Sequence, residues 1–278
     1  MRSLLLVCAA LLSAADNYTP ANAEWNKPIE PFRIAGNLYY VGASDVSSYL
    51  ITTPEGHFLL DNGFRETVPQ IEANIRELGF NLADIRFLLT SHGHYDHVGG
   101  MAELKAKTKA TLVSSSADAP LMARGGKGDL AFGDQYLFPP AVADRLVRDG
   151  EQIQLGGVVM TAHLTPGHTP GCTTWTTRTG KLNVVFPCSI SAPGYQLVNN
   201  PKYPNILDEF EATFASLKAL PCDVFLGFHS WDFDLHRKRQ AAGADNAFID
   251  PAGYQRWIER GANSVREAAA KQRAAAAH

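Results

Sequence analysis

The chain alternates between two hydrophobic periods. Runs that read as strands, FRIAGNLYYVG, SSYLIT and HFLLD, come first. A helical pattern follows from Thr67 to Leu78, where Val68, Ile71, Ile75 and Leu78 fall on one face. Strand and helix then take turns. Ile85–Leu89 reads as a buried strand, 98–107 as a helix, ATLVSS as a strand and 117–123 as a helix. After Arg124 the segment GGKGDLAFGDQYLFPP is rich in Gly, Pro and aromatics and lacks either period, which predicts a long functional loop.

From about Arg145 the alternation resumes, with strands near 152–155, 158–164, 173–177 and 183–186. A helix from Ile206 to Leu220, a strand DVFLGF and a terminal helix from Tyr254 complete the pattern. Strands followed by alternating helices occur in each half of the chain. This predicts an α/β fold of two stacked half-domains, sheets inside and helices outside, forming one domain over residues 24–278. No solenoid-length repeat is present, and the tail EAAAKQRAAAAH reads as a frayed surface end.

With 278 residues and 45% apolar content the chain can bury a full core. Its net charge is −3, and no Lys/Arg stripe offers an electrostatic footprint for nucleic acid, so a small-molecule partner is expected. The start, MRSLLLVCAALLSAADNYTPANA, has the form of a secretory leader: Arg2, an apolar stretch from Leu4 to Leu12, then small residues. Cleavage after Ala15 is expected, with Ala23 as the alternative, and Cys8 would leave with the leader. No later run approaches membrane-spanning length, so an exported, periplasmic monomer is the expectation.

Export puts Cys172, Cys188 and Cys222 where disulfides persist. Cys172 and Cys188 flank the strand-like TTWTT and NVVF, joined by a turn at Thr179-Gly180, so a hairpin brings them together; that pair is expected to be bridged and Cys222 free.

The densest chemistry is LLTSHGHYDHVGG, which puts His92, His94, Asp96 and His97 just past a strand-like run. Buried without partners, each polar group would cost roughly 2–7 kcal/mol. A cation removes that cost. His92 and His94, two apart in extended chain, face the same way, while Asp96 and His97 follow a bend. A catalytic zinc takes about three protein ligands and keeps a position open, so two further histidines are required. His168 in TPGHTPG and His229 in GFHSWDF each follow an apolar run at a turn. The expected sets are His92, His94 and His168 on one ion and Asp96, His97 and His229 on the other. Zinc suits these donors, and iron or manganese also accept them. His57, His163, His236 and His278 read as ordinary structural or surface histidines.

The H-x-H-x-D-H pattern resembles the signature of the metallo-β-lactamase superfamily, which implies a four-layer αβ/βα sandwich with two Zn²⁺ ions at one edge. AELKAKTKA, LMARGGKGDLAFGD, TAHLTPGHTPGCTTWT, SAPGYQL, NPKYPN and ALPCDV are similar to class B β-lactamases of subclass 3. The resemblance implies hydrolysis of penicillins, cephalosporins or carbapenems, antibiotic resistance, and a nucleophilic water oriented by Asp96. Cys188 in FPCSIS is a rival ligand for the second ion. Lactonases and thioesterases of the superfamily carry a bridging aspartate that FPCSISAPG lacks.

Similar enzymes imply that Ser189 and Ser191 receive the substrate carboxylate and that Tyr195 places a hydroxyl near its carbonyl; turn formation is the alternative for the serines. Phe132, Tyr136 and Trp25 are candidate pocket walls, or ordinary packing. Asp61, ending HFLLD, reads as the partner that orients a ligand histidine, or else as a turn residue.

Overall fold

The computed structural model describes residues 18–241 and 247–277. The leader reading over residues 1–15 and the reading of His278 lie outside them. A first sheet runs in chain order through β1 (Phe32–Ala35), β2 (Leu38–Tyr40), β3 (Tyr49–Thr53), β4 (Gly56–Leu60), β5 (Ile85–Leu89), β6 (Thr111–Ser115) and β7 (Arg145–Val147). Its first four strands pair antiparallel and its last four parallel, the change falling at β4. The second sheet has the order β12-β11-β10-β9-β8, built from β8 (Gln152–Leu155), β9 (Val158–Leu164), β10 (Thr173–Thr179), β11 (Leu182–Phe186) and β12 (Val224–Phe225).

Alternation along the strands sorts side chains between two apolar layers. Phe58, Leu60, Leu89 and Val113 enter the core shared with Trp175, Val184 and Phe186 of the second sheet. Leu59, Leu88 and Leu112 face the opposite way, toward α2 (Val68–Glu77) and α4 (Met101–Thr108). The second sheet is covered by α6 (Ile206–Ala219) and α9 (Pro251–Ala276). Helix, sheet, sheet and helix make the expected αβ/βα sandwich. Complete burial of each such aliphatic or aromatic side chain contributes about 1.5–3 kcal/mol.

The sheets are stitched together where β5 ends. Trp175 Nε1 donates to the Thr90 carbonyl at 2.9 Å, and the Thr173 amide donates to the Ser91 carbonyl at 2.7 Å. These bonds fix the chain immediately before His92.

Several elements depart from the sequence reading. The helix expected over 98–107 is broken into α3 (Tyr95–Val98) and α4, because Gly99 and Gly100 lie against the Phe64–Val68 segment. A Cβ at Gly99 would stand 2.9 Å from the Arg65 amide, and one at Gly100 2.3 Å from Val68 Cγ2. Three helices carry no clear periodic signal: α1 (Pro20–Trp25), α7 (Ser230–Phe233) and α8 (Leu235–Gln240). The helix expected over 117–123 forms as α5 (Ala119–Ala123).

The tail is a correction. It is not frayed: α9 continues to Ala276, with Val265 and Ala269 buried. Gln272 accepts the amides of Leu197 and Val198 at 2.7 and 3.1 Å and donates to the Tyr195 carbonyl at 2.6 Å. A low-complexity segment therefore clamps the loop that carries Tyr195.

Cys172 and Cys188 form a disulfide and Cys222 is free. Burial pushes the Cys222 thiol up to about 12, so in native protein it should resist alkylation at neutral pH, and of the described cysteines only Cys222 should be labelled after unfolding without reductant. Peptide mass mapping reads this directly. Gln272→Ala should cost about 1–3 kcal/mol in urea unfolding by orphaning three backbone groups, with faster amide exchange at 197–198.

Candidate metal centre

Three loops at one edge of the sandwich supply the donors. Beyond β5 the chain bends at Ser91 and Gly93, takes extended dihedrals at His94 (φ −82°, ψ 153°) and then turns into α3. This bent segment presents His92 and His94 together, and the first helical turn presents Asp96 and His97 beside them. His168 lies in the turn between β9 and β10, closed by the Thr165 amide on the Cys172 carbonyl at 2.8 Å. His229 caps α7 and pairs with Val46 across an isolated bridge.

The donors converge in the two expected sets, His92/His94/His168 and Asp96/His97/His229, each with ligand atoms within 4.8 Å of one another. His168 Nε2 stands 3.1 Å from His94 Nδ1. Asp96 Oδ2 is 3.6 Å from both His97 Nε2 and His229 Nε2. Such spacings are those imposed by ligands roughly 2.0–2.1 Å from a single ion.

The acceptors behind each ring set tautomers that suit a cation. His168 Nδ1 donates to the Ser191 carbonyl (2.7 Å), His97 Nδ1 to Asp61 (3.1 Å) and His229 Nδ1 to Asp45 (3.0 Å). Ser91 Oγ donates to Asp61 Oδ2 at 2.5 Å and accepts from His92 Nδ1 at 2.9 Å. His94 Nε2 faces Asp129 Oδ2 at 3.3 Å. One nitrogen of every ring thus carries the proton that its outer partner accepts, and the other turns a lone pair inward. His92 Nε2 is buried without any hydrogen-bond partner, and the facing lone pairs of His94 and His168 repel unless a cation lies between them.

Electrostatics agree for the first set. Burial, then the neighbouring rings, holds His92 well below its usual pKa and brings His168 down to about 3, so both are neutral ligands at pH 7. Burial lowers His229 too, but Asp45 and Asp96 outweigh it and the net shift is upward. Burial raises Asp96, and the charges of His97, His229 and His94 outweigh it, leaving the carboxylate below its usual range.

Asp61 stands at the turn after β4 with φ +47°, and its carboxylate meets His97 directly and His92 through Ser91. Ser189 and Ser191 line a cleft of about 670 Å³ over both donor sets, together with Trp25, Phe132 and Tyr136. Phe132 packs on His94 at 5.1 Å and Trp25 on His229 at 5.7 Å, while Tyr136 stacks on Tyr95 at 4.4 Å. Tyr195 stacks on His168 at 5.7 Å but lines an adjoining cavity of about 340 Å³, its hydroxyl buried and unpartnered. Cys188 lies near His92, yet its sulfur is engaged with Cys172 and offers no thiolate.

Four supporting residues went unnoticed in the sequence. Besides Ser91, Asp45 and Asp129, the fully buried Asp118 accepts the Gly93 and Gly171 amides, both at 2.9 Å, and the Thr169 hydroxyl at 2.7 Å, tying the His92–His94 segment to the His168 turn. Asp45 and His229 are 184 positions apart, and no spacing marks such pairs. Trp231, which stacks on His229 at 4.3 Å, was also missed.

A family model described as the Metallo-beta-lactamase superfamily matches residues 41–229. Among solved structures, a Cronobacter sakazakii metallo-β-lactamase with a HARLDQ motif is 43% identical, covers 91% of this chain and 99% of its own, and has a TM-score of 0.89. The native FEZ-1 metallo-β-lactamase of Legionella gormanii is 42% identical over 89% and 98%, TM-score 0.87. BJP-1, a subclass B3 metallo-β-lactamase of Bradyrhizobium japonicum, is 38% identical over 92% and 99%, TM-score 0.85. A hydroxyacylglutathione hydrolase of Rhodopseudomonas palustris is 35% identical over 126 residues, so the match spans 41% of that protein's length.

Asp61→Asn isolates the buried carboxylate, because asparagine tolerates the left-handed backbone at this position. It should weaken metal affinity about 10- to 100-fold, read by competition with a chromophoric chelator.

Proposed function

Because the chain belongs to the metallo-β-lactamase superfamily, we propose that it is a dinuclear zinc hydrolase that opens the β-lactam amide of penicillins, cephalosporins or carbapenems and so confers antibiotic resistance. The observation that carries the reading is the pair of three-donor sets beneath one open cleft. The metallo-β-lactamases among the solved structures match nearly end to end, whereas the hydroxyacylglutathione hydrolase match is partial. The absence of a carboxylate from FPCSISAPG also favours the lactam over the thioester.

His92, His94 and His168 would hold one zinc and Asp96, His97 and His229 the other, each coordinating through a lone pair already aimed inward. Zinc so bound supplies Lewis acidity and brings the pKa of water toward neutrality. Asp96 accepts a hydrogen bond from the attacking water, fixing its direction, and carries its proton toward the departing ring nitrogen. Ser189 and Ser191 receive the substrate carboxylate, while Tyr195, kept protonated by burial, lines the adjoining cavity rather than this cleft. Phe132 and Trp25 shield the reacting bond from bulk water. Export to the periplasm as a monomer belongs to the same reading, and the Cys172–Cys188 disulfide fits an oxidising compartment.

A chromogenic cephalosporin, a carbapenem and a glutathione thioester, each assayed before and after chelation, test the proposal. Lactam turnover should vanish with chelator and return with two zinc ions per chain, and Asp96→Ala should lower kcat/KM by about 10²–10⁴. Thioester turnover without lactam turnover would instead establish the hydroxyacylglutathione hydrolase reading.

A further inference from the structure

Among the described residues lining the metal cleft, only one is a lysine or arginine: Arg260, on α9. Its neighbours along the helix are engaged, Arg256 with Asp250 at 3.7 Å and Arg266 with Glu211 at 2.6 Å. Arg260 is exposed and has no carboxylate partner among the described residues. The carboxylates lining the cleft are Asp96, a metal donor, and Asp232, which accepts Trp257 Nε1 at 2.9 Å.

The helix is held against the serine arm by the next residue. A Cβ at Gly261 would lie 2.4 Å from Ile190 Cδ1, so glycine lets α9 come this close to the segment between Ser189 and Ser191 without displacing that side chain. This approach brings Arg260, and Ser264 one turn on, to the same cleft as the two serines. A guanidinium with a planar fork of donors, lining the same cleft as two hydroxyls, suits a carboxylate.

We propose that Arg260 is a specificity residue that pairs with the carboxylate flanking the scissile amide of bicyclic β-lactams, completing an anion site begun by Ser189 and Ser191. The inference rests on the β-lactam reading above. It assigns to α9 a part in substrate choice, since a neutral lactam gains nothing from this cation.

The test compares a cephalosporin acid with its neutral methyl ester on the zinc-loaded wild type, Arg260→Ala and Arg260→Lys. Alanine is a good helix former, so the exposed position should tolerate it. In Arg260→Ala the KM for the acid should rise about tenfold, the size expected for a hydrogen bond to a charged group, with kcat changed less than about twofold, as for uniform binding. The ester should be unaffected, and lysine should recover part of the loss. Raising salt should weaken acid binding in the wild type but not in Arg260→Ala. Titration of the hydrolysed acid, followed by fluorescence of the cleft tryptophans, should show the same loss without turnover. An unchanged KM, or equal shifts for acid and ester, overturns the inference alone; a wild type that hydrolyses neither compound overturns it together with the β-lactam reading.

Discussion

A carboxylate with no exposed surface, Asp61, holds the two halves of the donor cluster in one arrangement. It accepts the Ser91 amide and hydroxyl and the His97 ring, and through Ser91 it sets the proton on His92. Burial alone raises its pKa, so its three donors compensate a desolvated anion. The cost of that burial is justified by register: His92 and His97 belong to different sets, and one side chain aims both. Asp45, Asp118 and Asp129 repeat the device around the rim, each placing a carboxylate behind a donor or behind the turn that carries it.

The sandwich makes this crowding affordable in space. The parallel strands β4, β5 and β6 end together, so Asp61, His92 and Asp118 emerge at one edge. The second sheet closes on that edge through Trp175 and Thr173, and its turns deliver His168 and His229. The disulfide works at the same seam. By joining Cys172 to Cys188 it holds β10 to the serine arm and engages both sulfurs that lie near His92. The second donor set is therefore oxygen and nitrogen alone.

The C-terminal helix links scaffold and cleft. Its packing face is apolar, but Gln272 clamps the Tyr195 loop and Gly261 admits the backbone to the serine arm. An Ala-rich sequence reads as an end because its small side chains give little amphipathic contrast. Packing against α6 and the loop decides otherwise, because alanine permits close approach wherever a partner surface exists.

The sequence by itself determined most of the strands and long helices, the two candidate donor sets, the cysteine pairing and the place of Asp61 at the end of a strand. These follow from local rules: strand period, same-side projection of alternate residues, and the electrostatic cost of four ionisable groups within six positions. Only the tertiary structure decided the break at Gly99–Gly100, the separation of Tyr195 from the serines between two cavities, and the carboxylates behind the rings. Those depend on distant segments meeting, as Asp45 and His229 do across 184 positions, and no local pattern encodes which buried oxygen will face which ring nitrogen.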